Sequence, residues 1–154
     1  MKLTMRGTMA MALLTATVVL GACDDEGVTT VDASMAVVAG SYMAEGNFGA
    51  ITFTLTEAGS TEVVDLLEAG SSLVIHLRED GTTSGRLFVV GGDDDGSDFD
   101  ADLTGTWTLQ NGIVSFQHEA DTFIRDAPFD YDGGVLSSEE TFSDATIRVV
   151  LQRR

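Results

Sequence analysis

Apolar residues that recur at every second position can be buried only as one face of a β-sheet, and this chain repeats that pattern along most of its length. Ile51, Phe53 and Leu55 alternate with Thr52, Thr54 and Thr56. Leu73, Ile75 and Leu77 alternate with Val74, His76 and Arg78. Leu103, Gly105, Trp107 and Leu109 face away from Thr104, Thr106, Thr108 and Gln110, and Ile147, Val149 and Leu151 away from Thr146, Arg148 and Gln152. Period two is the strand repeat. Turn signals stand between the runs. Asp80-Gly81 and Asn111-Gly112 predict two-residue hairpins with both central residues at positive φ, and Asp132-Gly133-Gly134 predicts a third. Gly46-Asn47 marks a turn after a first strand over about 37–44, which carries Tyr42. Return strands reach about Val90 and Glu119, and Phe123-Ile124 reads as a short strand before Pro128. Residues 61–69 fit either a strand or a short helix capped by Ser60 or Thr61 and stopped by Gly70.

This makes an all-β chain of about eight strands joined by successive hairpins, an antiparallel meander. Such a meander buries its apolar face and removes its edges by curling into a closed barrel. A two-layer β-sandwich satisfies the same alternation. A single proline and 17 glycines suit a β protein with glycine turns.

The N-terminus follows another logic. Lys2 and Arg6 precede an uncharged run from Met9 to Leu20. The run is about 12 residues long, and a membrane-spanning helix needs about 20, so an export signal is the better reading. Leu20-Gly21-Ala22-Cys23 resembles the bacterial lipobox. That resemblance implies that residues 1–22 are a lipoprotein signal peptide, that Cys23 is lipidated and then becomes the N-terminus, and that its amine is acylated. Two or more hydrocarbon chains hold a protein stably at a bilayer, where one does not. Residues 23–36 would then tether a barrel domain over 37–154 to the cell envelope, facing the periplasm or the exterior. Asp24 and Asp25 resemble the enteric signal for retention in the inner membrane, and the choice between inner and outer membrane stays open. Cys23 is the chain's single cysteine, so no intrachain disulfide forms.

Removal of residues 1–22 leaves six arginines, no lysine and 25 acidic residues, a net charge of −19. Nucleic acid is a poor partner for such a chain, because phosphate binding rests on Lys and Arg. Anionic membrane surfaces repel it too. Divalent cations and basic protein partners are its natural counterparts.

Three stretches resemble lipocalin-like (calycin-type) bacterial lipoproteins. Gly40-Ser41-Tyr42 is similar to the lipocalin G-x-W with Tyr in place of Trp. His76 to Leu87, HLREDGTTSGRL, resembles a strand–DG–strand hairpin. Leu103 to Val114, LTGTWTLQNGIV, resembles G-T-W-T-L followed by a tight turn. The resemblance implies a barrel able to hold a small apolar ligand and implies no catalytic residue. Tyr42, Phe53 and Trp107 are candidates to line such a cavity, against the alternative that they simply fill the core.

The acidic stretch 91–101, GGDDDGSDFDA, reads as a loop. Asp93, Asp95, Asp98 and Asp100 are candidate calcium ligands, since calcium takes six to eight oxygens from flexible Asp-rich loops. The EF-hand order fails, however: with Gly96 at the sixth position, Gly91 stands where the first Asp belongs, and no Glu closes the loop at Asp102. His76 and His118 lie on strands with no spacing that demands a metal. There is no G-x-S-x-G, and the single cysteine serves the anchor, so nucleophilic catalysis has no motif behind it. The chain therefore reads as a non-enzymatic envelope barrel that binds a small apolar molecule. The alternative is an acidic interaction module that engages a basic protein partner, with or without calcium.

Overall fold

A computed structural model describes residues 34–57, 60–143 and 145–154. Cys23 and the signal-like segment lie outside the described residues. A short helix, α1 (Met35–Val38), is followed by β1 (Gly40–Ala44), β2 (Ala50–Glu57), β3 (Ser60–Asp65), β4 (Ser72–Leu77) and β5 (Thr82–Val89). Then come β6 (Phe99–Asp102), β7 (Gly105–Gln110), β8 (Ile113–His118), β9 (Pro128–Asp132), β10 (Val135–Phe142) and β11 (Ala145–Arg153). Every pairing is antiparallel.

Eight of these strands form a ring in the order β1-β4-β5-β7-β8-β9-β10-β11, and β11 pairs back onto β1 through Tyr42–Arg153 and Met43–Gln152. The barrel is closed, as the meander predicts, and the sandwich alternative is excluded. The remaining strands are continuations of ring strands. β2 follows β1 along β11, after an excursion at Glu45–Phe48 whose ends bond to each other at 2.9 and 3.0 Å. β3 precedes β4 beside it, and β6 precedes β7 along β5. The architecture is compatible with a calycin-like barrel.

The hairpins test the turn chemistry individually. Asn111 (φ 52) and Gly112 (φ 80) both take positive φ, as do Gly133 (φ 53) and Gly134 (φ 95), so these are two-residue turns. At Asp80-Gly81 only Gly81 does (φ 82), which differs from the expected turn. There the Arg78 amide bonds the Thr82 carbonyl at 2.9 Å and the Gly81 amide bonds the Arg78 carbonyl at 3.0 Å. The Asp80 carboxylate accepts from the Thr82 amide at 2.9 Å and from its hydroxyl at 2.6 Å. This Asx bonding stabilises a longer turn with the left-handed residue last.

Three other expectations are corrected, and the open choice between strand and helix over 61–69 is resolved. The first strand begins at Gly40, because residues 35–38 form α1. Residues 61–65 are strand, and the Asp65 side chain then accepts from the amides of Leu67 (2.8 Å) and Glu68 (3.3 Å) to make a turn. Phe99–Ala101 of the acidic stretch pair with β5 and are not loop. Phe123-Ile124 is a turn and not a strand: the Arg125 amide bonds the Thr122 carbonyl at 3.1 Å, and Asp126 sits at φ 64. That turn places Ile124 fully in the core.

Gly105 shows why a glycine interrupts an otherwise apolar face. A Cβ there would run into the Gln117 carbonyl oxygen on the neighbouring strand, so only glycine lets β7 and β8 approach this closely.

Candidate functional site

The two ends of the barrel are built differently. One end gathers α1, the turns at 78–81, 111–112 and 133–134, and the chain's last residues. Its interior is solid: Tyr42, Trp107, Phe116, Phe129, Leu136 and Leu151 are each at most 2 % exposed. Phe116 and Phe129 pack tilted, with centroids 5.1 Å apart. The polar atoms carried in with these rings are satisfied. Tyr42 Oη donates to the Val38 carbonyl at 2.5 Å, and Trp107 Nε1 donates to the Arg78 carbonyl at 2.8 Å. Burial pushes the Tyr42 hydroxyl pKa up to about 12, against the opposing pull of Arg153. Arg153 lies over the Tyr42 ring at 6.0 Å and donates to the carbonyls of Val37 (2.9 Å) and Ala39, tying the last strand to α1. A Cβ at Gly40 would lie 2.7 Å from Arg153 Nε, so the Gly40-Ser41-Tyr42 motif leaves room for this guanidinium.

The other end is open. Phe53, Leu66, Val89, Phe99 and Phe123 surround a cavity of about 320 Å³ at the barrel mouth, with Val90, Gly91 and Gly92 at its edge. Five separate segments supply these side chains. Phe53 is the third inward residue along the β1–β2 rung after Tyr42, past Ala44 and Ile51. Leu66 is held by its amide bond to the Ile51 carbonyl at 2.9 Å. Phe99 opens β6, and Phe123 comes from the turn anchored by Ile124. The volume lies at the low end of the range for small-molecule pockets.

A second cleft, of about 570 Å³, adjoins this cavity and shares Gly92, Phe99 and Asp121 with it. Its walls are Asp93, Asp94 and Asp95 on one side and Asp121 on the other. Arg125 reaches Asp121 at 3.7 Å. Beside the mouth, β8 ends at His118 while β6 continues to Phe99, leaving an open side cleft of about 1050 Å³ between β6 and residues 119–121.

Of the residues singled out in sequence, Tyr42 and Trp107 lie in the solid end and Phe53 lines the mouth cavity, so the three are not brought together. The four candidate calcium ligands do not converge as one set: Asp93 and Asp95 share Ser97, while Asp98 and Asp100 bond elsewhere. Asp93 accepts from Ser97 Oγ at 3.3 Å and Asp95 from the Ser97 amide at 2.9 Å. Asp98 accepts from the Gly91 amide at 3.0 Å. Asp100 points outward to Arg86, with one contact at 2.7 Å, and this guanidinium holds its carboxyl below the usual range. Among the described residues, no three His, Cys, Asp or Glu side chains group as a metal site. His76 is exposed, with Nδ1 2.7 Å from Ser41 Oγ, whereas His118 faces inward, so the two are not neighbours.

His118 is 7 % exposed, with Nε2 2.7 Å from Thr122 Oγ1 and no partner for Nδ1. Burial and then the Arg125 charge lower its pKa, and Asp126 opposes them.

Leu66, Phe99 and Phe123 are mouth residues that sequence reasoning missed. Phe99 had a signal: a single large apolar side chain between Asp98 and Asp100 has to be buried against something. Phe123 was hidden by the strand reading of its segment. No protein-family model, curated protein or solved structure matches this chain.

Proposed function

We propose that this protein is a lipid-anchored β-barrel of the cell envelope that binds a small apolar molecule at its open end and catalyses no reaction. The observation that carries the binding reading is the mouth cavity, where Phe53, Leu66, Phe99 and Phe123 surround about 320 Å³ while the opposite end is packed solid. A barrel that needed its apolar residues only for stability would have no use for half-buried aromatics around a void, because each forfeits contact on its open side. The reading as a binding protein and not an enzyme rests on the absence of a nucleophile motif from the sequence.

The anchor reading rests on Leu20-Gly21-Ala22-Cys23 after the uncharged run. Two experiments test the two halves separately. Cys23→Ser should release the protein from the membrane fraction, and a serine form that still sediments with membranes contradicts the anchor. Titration of the full chain with phenylbutanol should give saturable binding that Phe99→Asp abolishes. Binding unaffected by Phe99→Asp would place the ligand elsewhere.

A further inference from the structure

We propose, building on that reading of the mouth, that the ligand is an organic cation: an apolar body seated among Phe53, Leu66 and Phe123, with its positive charge directed at the rim carboxylates. The carboxylates alone would make only a solvated loop. They gain a ligand role from their position, because the cleft walled by Asp93, Asp94, Asp95 and Asp121 opens directly onto the apolar cavity and shares Phe99 and Asp121 with it. A molecule that fills the cavity therefore places its outer end among four acidic side chains. Phe99 serves both halves, since an aromatic ring offers apolar contact and its face attracts a cation.

The distribution of positive charge sharpens the selection. All six arginines after Cys23 are described, and Arg125 is the one that pairs with a carboxylate lining the mouth, meeting Asp121 at 3.7 Å. Arg78 and Arg153 belong to the solid end, with Arg154 beside them. Arg86 and Arg148 are exposed on the outer wall. The cleft lining itself holds four carboxylates against one paired arginine and is net negative. A neutral ligand gains the cavity but nothing from the rim. An anion with the same body is repelled by it.

The test is calorimetric titration of the full-length protein with three probes of one shape: phenylbutylammonium, phenylbutanol and phenylbutanoate. At about 0.02 M salt the ammonium should bind roughly three- to tenfold tighter than the alcohol, a few exposed charge contacts' worth, and the carboxylate weakest of all. At about 0.5 M salt the differences should shrink. The double change Asp93→Asn with Asp94→Asn alters only exposed side chains that line the acidic cleft and not the apolar cavity. It should bring the ammonium down to the alcohol and leave the alcohol unchanged. An ammonium no tighter than the alcohol, or a preference that survives the double change, overturns the cation assignment and leaves the apolar site standing. Failure of all three probes to bind overturns the site itself.

Discussion

The two ends of this barrel start from the same material, inward-facing aromatic and aliphatic side chains on alternating strands, and use it in opposite ways. At the solid end, Tyr42 and Trp107 are buried with their polar atoms bonded to backbone carbonyls, and Arg153 straps the last strand to α1. At the mouth, Phe53, Phe99 and Phe123 remain partly exposed around a cavity, and carboxylates line the adjoining cleft. The difference teaches that one end carries the stability that lets the other end stay incomplete. Truncations should therefore be costly at one end and cheap at the other.

Trp107→Ala should be the most damaging of these changes. It empties the largest buried side chain and removes one of the two donors to the Arg78 carbonyl, so a loss of about 3–5 kcal/mol is expected in urea unfolding followed by far-UV circular dichroism. A loss under about 1 kcal/mol would mean the solid end is not the stabilising one. Arg153→Met should cost about 1–2 kcal/mol in the same assay, because it removes charged donors from Val37 and Ala39 but acts at an exposed position.

His118, at the end of β8 beside the mouth, predicts a pH dependence. Its pKa in the folded state is lowered from 6.5, so the unfolded chain takes up a proton that the native protein refuses. Its contribution to stability is complete above pH 6.5 and is lost as pH falls from there towards the folded value, with a slope of at most about 1.4 kcal/mol per pH unit. His118→Phe should flatten that slope, as read from urea midpoints at successive pH values. An unchanged slope would assign it to other groups.

Phe123→Ala should cost the least, about 1 kcal/mol, since the ring is only half buried. Yet it should weaken phenylbutanol binding about tenfold, which corresponds to about 1.4 kcal/mol. Equal damage to stability from Phe123→Ala and Trp107→Ala would erase the contrast between the ends.

Much of the barrel was legible in sequence because both of its rules are local. Alternation at 51–56, 103–110 and 146–152 dictates strand faces, and Asn111-Gly112 and Gly133-Gly134 dictate tight turns. The cavity was not legible, because it depends on where separate segments meet. Phe53 was visible as an inward strand residue, but nothing local to it shows that Leu66 turns back onto Ile51. Nor does Phe123-Ile124 announce a turn, since the reason for it is Ile124's place in a core contributed by distant strands. The acidic stretch misled in a similar way. Its aspartates suggest one cluster, but pairing of Phe99–Asp102 with β5 draws Asp100 out to Arg86 and leaves Asp93–Asp95 at the mouth.

Side-chain NMR of the full-length protein titrated with phenylbutanol tests the contrast between the ends most directly. Shifts should concentrate on Phe53, Leu66, Val89 and Phe123, while Tyr42 and Trp107 stay in place. Shifts centred on Tyr42 and Trp107, or none at millimolar ligand, would contradict the account.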